Sequence, residues 1–261
     1  RGATKLKKIV KNAIRRTASV PALRGPLARG FTKANAYFSA VANDKMRDIY
    51  VRNKQYTRVP PEMFIANLEV LEQFSDVEGL VVECGVWRGG MSAGMADLLG
   101  PERAYHLFDS FEGLPDAKGI DGQRALDWQE AGEVDNCRAE EHYAQEAMER
   151  SNAAKFELHK GWFSDTLPKF KPAEPIAVLR LDGDWYSSTA ECLNYLYPLV
   201  RKGGLILIDD YFAWTGCSRA VHDYLSANAL ADRIQSEDTM LGYMVKREDK
   251  ECIHIDPERE M

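Results

Sequence analysis

Short apolar runs alternate with stretches of helical periodicity along the chain after Pro61. The apolar runs predict β-strands at residues 79–83, 104–109, 156–159, 176–181 and 205–208. Apolar residues at helical spacing predict a helix over Met91–Leu99 and another between Pro61 and Phe74. Because strands that alternate with helices form a parallel sheet with right-handed crossovers, the pattern predicts an α/β fold.

Two further segments stand outside this alternation. Residues 233–235 and 241–245 are close enough in sequence to form an antiparallel hairpin. Residues 116–150 form a long polar and charged insertion after the second predicted strand. A loop of that length in a compact domain is often a lid or a binding segment, so we expect the insertion to cover a site or to bind an acceptor.

Charge divides the chain into two parts. Residues 1–60 carry 15 Lys and Arg but only Asp44 and Asp48, whereas residues 61–261 are strongly acidic. We therefore distinguish a basic N-terminal helical arm, 1–60, from a domain, 61–261. Within residues 1–33, an amphipathic helix with basic residues on its polar face can dock on the acidic domain or on a second subunit of a homo-oligomer. It can also lie on an anionic membrane surface as a peripheral contact, or bind an anionic ligand.

Composition excludes several classes of protein. Hydrophobic residues make up 45% and charged residues 28%, which argues against disorder, collagen or a coiled coil. The acidic domain contains no nucleic-acid-binding motif, so nucleic acid is disfavoured as a partner. No apolar run approaches the ~20 residues of a membrane span, no secretory leader is recognisable, and the five cysteines include no CxxC pair. We expect a cytoplasmic protein without disulfides or a thiolate zinc site.

The first candidate site follows the first predicted strand. Glu83, Gly85 and Gly89 form the pattern ExGxxxG, which runs into a predicted helix. Glycines let a ligand approach the backbone, and a helix start offers free N–H groups. The spacing differs from the GxGxxG of pyrophosphate-binding dinucleotide folds. Without a ligand, the same residues would form only a tight turn.

The second candidate is Asp109, at the end of the second predicted strand. An acidic residue at this position commonly accepts hydrogen bonds from the ribose hydroxyls of adenosine. The alternative is that Asp109 only begins the turn that leads to Pro115.

The third candidate is a set of four carboxylates. Asp182 and Asp184 follow the strand at 176–181, and Asp209 and Asp210 follow the strand at 205–208. If these strands are parallel neighbours, their acids meet, and their repulsion is costly unless cations or protons neutralise it. Carboxylate oxygens without His or Cys favour Mg²⁺ over zinc. Adjacent aspartates also serve as turn formers and helix N-caps, and Asp184 is placed to cap the next helix.

Together these motifs resemble class I S-adenosylmethionine (SAM) methyltransferases, and more narrowly the macrocin O-methyltransferase (TylF-type) family, whose members methylate sugar hydroxyls of natural products. The resemblance runs in order through residues 82–90, 108–115, 161–168, 179–184, 209–211 and 220–224. It implies a doubly wound, mostly parallel seven-stranded Rossmann-like sheet with an antiparallel C-terminal hairpin and an N-terminal helical extension.

The resemblance also implies roles for single residues. Mg²⁺ would be held by Asp182, Asp209 and Asp210, with Asp184 as the general base. The acceptor would be a small-molecule glycoside or glycan. The residues that would surround SAM are Thr57, Glu83, Gly85, Val86, Trp87, Gly89, Ser92, Asp109, Ser110, Gly161 and Trp162.

Two departures from the family pattern leave the acceptor open. Trp185 and Tyr186 follow Asp184 where the family commonly has a smaller apolar residue and an acid, and the insertion at 116–150 does not match the family. Two alternatives therefore stay in view. One is a catechol-type O-methyltransferase, although these enzymes commonly use a lysine base. The other is a SAM-binding interaction module without activity, which the presence of all four carboxylates disfavours.

Overall fold

Helices and strands alternate in the computed structural model, which describes residues 44–132, 136–236 and 240–260. The strands are β1 (Leu80–Cys84), β2 (Ala104–Asp109), β3 (Lys155–Lys160), β4 (Ile176–Leu181), β5 (Val200–Ile208) and β6 (Gly242–Val245). The helices are α1 (Asp44–Asn53), α2 (Pro61–Glu72), α3 (Gly90–Leu99), α4 (Gln123–Glu130), α5 (Glu141–Glu149), α6 (Phe163–Thr166), α7 (Tyr186–Leu196) and α8 (Thr215–Ala227).

The strands form one sheet in the order β3-β2-β1-β4-β5-β6. Neighbouring strands are parallel, except that β6 runs antiparallel to β5. The α/β, mostly parallel fold with an antiparallel C-terminal element is therefore confirmed. The described residues form six strands rather than the seven expected. Of residues 233–235, only Gln235 pairs, in an isolated bridge to Tyr243 closed by backbone hydrogen bonds of 2.8 and 3.0 Å.

Helices cover both faces of the sheet because alternate strand residues point to opposite sides. Val81 and Leu207 lie in one apolar cluster with residues of α2 and α3. Val82 and Ile206 lie in a second cluster with residues of α7 and α8. A strand that is buried on both faces has a continuous apolar sequence, and for this reason the apolar runs predicted the strands.

The N-terminal part of the described chain packs against this domain. Met46, Ile49 and Tyr56 are buried in the same apolar cluster as Phe64 of α2. No helix in the described ranges is both long and apolar enough to cross a membrane. The amphipathic helix expected within residues 1–33 lies outside the described residues, so its membrane and second-subunit alternatives stay predictions.

The insertion contains α4 and α5 and is anchored to the helices of the domain. Asp121 is 3% exposed, and its carboxylate accepts hydrogen bonds from the backbone N–H of Lys118 at 2.8 Å and of Tyr186 at 2.7 Å. Tyr186 is the first residue of α7. An acid of the insertion therefore satisfies the N-terminus of α7, the position for which Asp184 was the sequence candidate.

Candidate active site

The carboxyl ends of three neighbouring strands lie at one level. Cys84 of β1 pairs with Leu181 of β4, and Leu181 pairs with Ile208 of β5. Asp182 and Asp209 are the next residues along the chain, so the register places both at the same edge of the sheet. The acids after β4 and β5 meet there, as the strand pattern predicts.

Three of the four aspartates converge. One carboxylate oxygen from each of Asp182, Asp184 and Asp210 lies within 4.8 Å of the others. Asp184 has a φ of +57°, in the left-handed region that non-glycine residues rarely occupy. Its backbone N–H donates to Asp210 at 3.1 Å, which helps to hold this conformation.

A buried guanidinium lies behind the aspartates. Arg180 is 0% exposed, although it stands within the apolar strand β4. It donates to Glu83 at 2.6 Å, to Asp182 at 2.7 Å and to Asp209 at 2.5 Å. Its Nε also donates to the side-chain oxygen of Asn67 at 3.2 Å. A buried charge is tolerated only when it is paired and hydrogen-bonded, so Arg180 and its carboxylates depend on each other.

This network divides the predicted metal ligands into two kinds. Asp209 accepts from Arg180 and, at 3.4 Å, from the side-chain amide of Asn67, and it is not part of the converging set of described residues. Asp182 belongs to both the Arg180 network and the converging set. The structure thus brings Asp182 and Asp210 together as predicted, and joins Asp184 rather than Asp209 to them.

Burial and mutual repulsion raise the pKa values of Asp184, Asp209 and Asp210. Burial raises the pKa of Asp184 to about 7, and the charge of Asp182 adds to the rise. Burial and the charge of Asp184 raise the pKa of Asp210 well above its usual range. Burial raises the pKa of Asp209 to about 6, although Arg180 opposes the rise. Asp184 and Asp210 are therefore the two carboxyls that favour a proton near neutral pH when no cation is bound.

A single carboxylate organises the turn between β1 and α3. Asp109 accepts hydrogen bonds from the backbone N–H groups of Val86 and Trp87, both at 2.8 Å, and of Phe111 at 2.7 Å. Burial raises the pKa of Asp109, and these three hydrogen bonds oppose the rise because they stabilise the charged form. A carboxylate has about four acceptor positions, so this role leaves capacity for a ligand hydroxyl.

Contacts within the protein explain the two glycines of this turn. Gly85 has a φ of +84°, and a Cβ there would lie 1.7 Å from the carbonyl oxygen of Asp182. Gly89 has a φ of +78°, and a Cβ there would lie 2.9 Å from Cα of Ala144 in α5. The close approach that we expected for a ligand is, at these two positions, an approach of other backbone segments.

Glu83 and Ser92, both predicted to contact SAM, lie behind the site. Glu83 is 1% exposed, pairs with Arg180, and accepts a hydrogen bond from the Ser92 hydroxyl. Burial raises the pKa of Glu83 to about 7, and the charge of Arg180 opposes this. Both side chains therefore connect β1, α3 and β4 behind the site.

Thr57 and Gly161 support the site from its two flanks. The hydroxyl of Thr57 accepts from the backbone N–H of Val59 at 3.1 Å, and the Thr57 backbone packs against Gly90. Gly161, with a φ of +139°, donates its N–H to the carbonyl of Asp109 at 2.9 Å.

One cavity of about 280 Å³ opens between the Asp109 turn and the aspartates. The predicted site residues in its wall are Gly85, Trp87, Asp109, Ser110, Trp162, Asp182, Asp184 and Asp209. The wall also contains residues without a predicted role, namely Arg58, Val59, Pro60, Gly113, Leu114, Pro115, Trp128, Cys137, Phe163, Gly183, Ser188 and Trp214. Both halves of the predicted site, the cofactor side and the acid side, therefore face the same space.

An aromatic group joins the insertion to Asp184. The indole N–H of Trp214 donates to Oδ1 of Asp184 at 2.7 Å. The Trp214 ring meets Trp185 edge to face at 5.1 Å and Trp128 of α4 at 6.1 Å, and the Arg124 guanidinium lies 5.0 Å from its centre. The insertion thus forms part of the cavity wall and supports the side chain that holds Asp184.

Sequence reasoning missed Arg180 and the Trp214 contact. Arg180 had a usable signal, because a lone arginine inside a buried strand needs carboxylate partners. Trp214 had none, because nothing in the spacing indicates that it contacts a residue 30 positions earlier.

Residues 65–246 match the sequence profile of the macrocin-O-methyltransferase (TylF) family, which is more than half of the chain. The chain belongs to this family. The resemblance read from the motifs is confirmed, and the TylF match covers every strand of the described sheet.

Curated TylF relatives share about a third of their residues with this chain. It is 36% identical over 173 residues to the demethyldecarbamoylnovobiocin O-methyltransferase of Streptomyces niveus, covering 61% of this chain and 63% of that protein. It is 38% identical over 177 residues to a rhamnosyl-tetracenomycin-C 4'-O-methyltransferase of Streptomyces olivaceus, covering 62% and 64%. The chain thus spans less than two thirds of the length of these relatives.

Solved structures show the same fold. The O-methyltransferase NovP is 30% identical, with a TM-score of 0.59 over 70% of this chain and 81% of NovP. The calicheamicin methyltransferase CalS11 is 20% identical and also has a TM-score of 0.59, over 82% of this chain and 91% of CalS11.

Proposed function

We propose that this protein transfers the methyl group of SAM to a sugar hydroxyl of a small-molecule glycoside or glycan, in a Mg²⁺-dependent reaction. The observation that carries the proposal is one cavity lined by the Asp109 turn on one side and by Asp182, Asp184 and Asp209 on the other. Membership of the TylF family supports methyl transfer, and one relative is named for methylation at the 4' position of a rhamnosyl group.

The Asp109 side of the cavity suits the nucleoside part of SAM. Asp109 is held in place by three backbone N–H groups and faces the cavity, so it can accept from ribose hydroxyls without rearrangement. Trp87, Ser110 and Trp162 line the same side and supply ring and hydroxyl surfaces.

The aspartates fit a hard divalent cation. They are oxygen donors only, and burial together with the neighbouring acids raises the pKa values of Asp184 and Asp210, a cost that a bound cation would offset. We assign Asp182, Asp209 and Asp210 to Mg²⁺, and Asp184, which converges with Asp182 and Asp210, is the alternative ligand in place of Asp209. Bound Mg²⁺ would lower the pKa of the acceptor hydroxyl and fix the position of its oxygen.

Asp184 is our candidate for the general base. Trp214 donates to its Oδ1, which orients the carboxylate and leaves the second oxygen able to take the hydroxyl proton of the acceptor. Bound SAM would supply the methyl group, and the sugar oxygen would displace it directly from sulfur, without a covalent enzyme intermediate. Trp128 and Trp214 would pack on the sugar ring and exclude water.

The test separates base from ligand. Asp184→Asn should lower kcat by roughly 10²–10⁴, the range for loss of a general base, and saturating Mg²⁺ should not restore it. Asp209→Asn should raise the Mg²⁺ concentration needed for half-maximal activity, because mass action compensates for a weakened ligand. Methyl transfer from SAM to a panel of glycosides and catechols is the assay, and exposed Asp165→Asn is the control.

Three outcomes would contradict the proposal. If Asp184→Asn needs more Mg²⁺ but keeps its kcat at saturation, Asp184 is a ligand and the base lies elsewhere. Transfer to catechols but not to glycosides would support the catechol-type alternative. Absence of S-adenosylhomocysteine binding would overturn the function altogether.

A further inference from the structure

We infer a second metal site at the outer edge of the sheet, in which His106, Glu157 and His159 bind a divalent transition-metal ion such as Zn²⁺. The site is made by β2 and β3 and shares no residue with the cavity wall.

The register of the two strands brings the three side chains together. His106 of β2 is the partner of Glu157 on β3, and Phe108 is the partner of His159. Because alternate residues of a strand face the same side, all three side chains project from one face. One ligand atom from each lies within 4.8 Å of the others.

The distances need little change to admit a metal. His106 Nδ1 and His159 Nε2 are 3.0 Å apart, which matches an N–H···N hydrogen bond in the metal-free pair. Two nitrogens at ~2.0–2.1 Å from a tetrahedral zinc ion are roughly 3.3–3.4 Å apart. Metal binding would therefore separate the nitrogens by a few tenths of an ångström and turn the rings so that both lone pairs point at the ion. A Glu157 oxygen lies 3.7 Å from the same Nδ1 of His106, and the other Glu157 oxygen lies 3.9 Å from Nδ1 of His159, the second nitrogen of that ring.

Neighbouring aromatic rings hold the imidazoles in place. His159 stacks on Phe108 with centroids 4.1 Å apart and planes at 9°, and Phe170 meets His106 edge to face at 5.0 Å. Burial lowers the pKa values of both histidines, so both rings are neutral at neutral pH and each can offer a nitrogen. The two side chains are 16% and 18% exposed and Glu157 is 64% exposed, so an ion can reach them from solvent.

The donor set distinguishes this site from the aspartates. Two imidazoles and one carboxylate favour Zn²⁺, Co²⁺, Ni²⁺ or Cu²⁺, whereas the all-oxygen set at β4 and β5 favours Mg²⁺. Three protein ligands also leave one tetrahedral position open for water.

A metal here would fasten the outermost strand of the sheet. β3 pairs with β2 on one side only, and it leads directly into Gly161 and Trp162, of which Trp162 lines the cavity. An ion that bridges β2 and β3 would therefore stabilise the edge strand and the segment that follows it.

The experiment is a Zn²⁺ titration of the whole protein by calorimetry, with millimolar Mg²⁺ present to occupy the aspartates. We expect one equivalent to bind with a micromolar or tighter Kd and to raise the Tm. His106→Gln and His159→Gln should each weaken binding at least tenfold and abolish the rise in Tm, and Glu157→Gln should weaken binding severalfold. With Co²⁺ in place of Zn²⁺, the wild type should develop the visible absorption of tetrahedral coordination, and His106→Gln and His159→Gln should not.

Two controls make the result decisive. His142 is an exposed histidine 3.1 Å from Glu140, so His142→Gln removes a comparable pair without a second imidazole and should change nothing. Asp210→Asn should also leave Zn²⁺ binding unchanged. Three results would overturn the proposal. Zn²⁺ binding could survive in both His106→Gln and His159→Gln, it could disappear in Asp210→Asn, or it could need millimolar Zn²⁺ in the wild type. The Tm and circular dichroism of each metal-free variant show whether it is folded. If His106→Gln does not fold, Zn²⁺ binding by His159→Gln alone tests the proposal.

Discussion

The two halves of the cavity handle buried charge in opposite ways. At the end of β2, the one carboxylate of Asp109 is satisfied by three backbone N–H groups. At the ends of β4 and β5, Asp182, Asp209 and the buried Glu83 share the guanidinium of Arg180, and Asp184 and Asp210 converge on Asp182. The first half is stabilised by neutral dipoles of the chain itself. In the second half, burial and the neighbouring acids raise the pKa values of Asp184, Asp209 and Asp210.

This difference assigns a different role to each half. A carboxylate that is already oriented by N–H groups can recognise neutral hydroxyls with little reorganisation. A cluster of carboxyls with raised pKa values can instead bind a cation or a proton, which the proposed reaction at a sugar hydroxyl would use. Three experiments test this contrast: substitution of Arg180, substitution of Asp109, and a change of pH.

The largest effect should come from removing the guanidinium. Arg180→Met leaves Glu83 and Asp209 buried without their cation, and loss of one partner of a buried ion pair typically costs about 3–5 kcal/mol. We expect a loss of that size in the free energy of unfolding, measured with urea.

Arg259→Met is the matched control for Arg180→Met. Arg259 also pairs with an aspartate, Asp223 at 2.8 Å, but its side chain is 56% exposed. Exposed pairs contribute about 0–1 kcal/mol, so this variant should stay close to the wild type. Equal losses in the two variants would show that the network around Arg180 is not a buried ion-pair system.

A smaller effect is expected at the other half of the cavity. Asp109→Asn removes the charged acceptor of three N–H groups and of the proposed ribose contact. S-adenosylhomocysteine binding should weaken by about 1–3 kcal/mol, measured by calorimetry. Glu112→Gln, an exposed acid three residues further on, should leave the affinity unchanged. Undiminished binding by Asp109→Asn would remove Asp109 from the cofactor site.

The strand ends were predictable from the sequence, and the contacts between distant segments were not. Apolar runs located β2 and β4 to the residue, and parallel pairing then placed Asp182 and Asp209 at one edge. The glycine pattern located the turn, but Gly85 and Gly89 meet protein backbone that sequence spacing does not reveal.

The insertion at residues 116–150 is a second example in which the sequence predicts a segment but not its contacts. Its composition predicted a lid or binding segment, and its residues do line the cavity. The contacts of Asp121 with the start of α7 and of Trp128 with Trp214 depend on tertiary packing between segments 65 and 86 residues apart. No local pattern encodes such a contact, because both partners also fit ordinary surface or core positions.

The last test uses the pH dependence of stability. The folded-state pKa of Asp184 is about 7, raised by burial from an ordinary value of 3.8. Between these values the folded protein keeps a proton that the unfolded chain releases, so Asp184 lowers the free energy of unfolding as pH rises through this window. His106 and His159 act in the opposite direction, because burial lowers their pKa values.

Comparison with Asp184→Asn isolates this contribution from that of the histidines. One pKa unit corresponds to ~1.4 kcal/mol, and water at the half-buried edge reduces the effect, so we expect the wild type to lose on the order of 1–2 kcal/mol relative to the variant between pH 5 and pH 8. Urea unfolding across that range, without divalent ions, is the measurement. Millimolar Mg²⁺ should restore the wild type mainly at the alkaline end, because a bound cation replaces the proton. Parallel pH curves for the two proteins would show that Asp184 is ionised throughout, and that the aspartates are less crowded than their distances indicate.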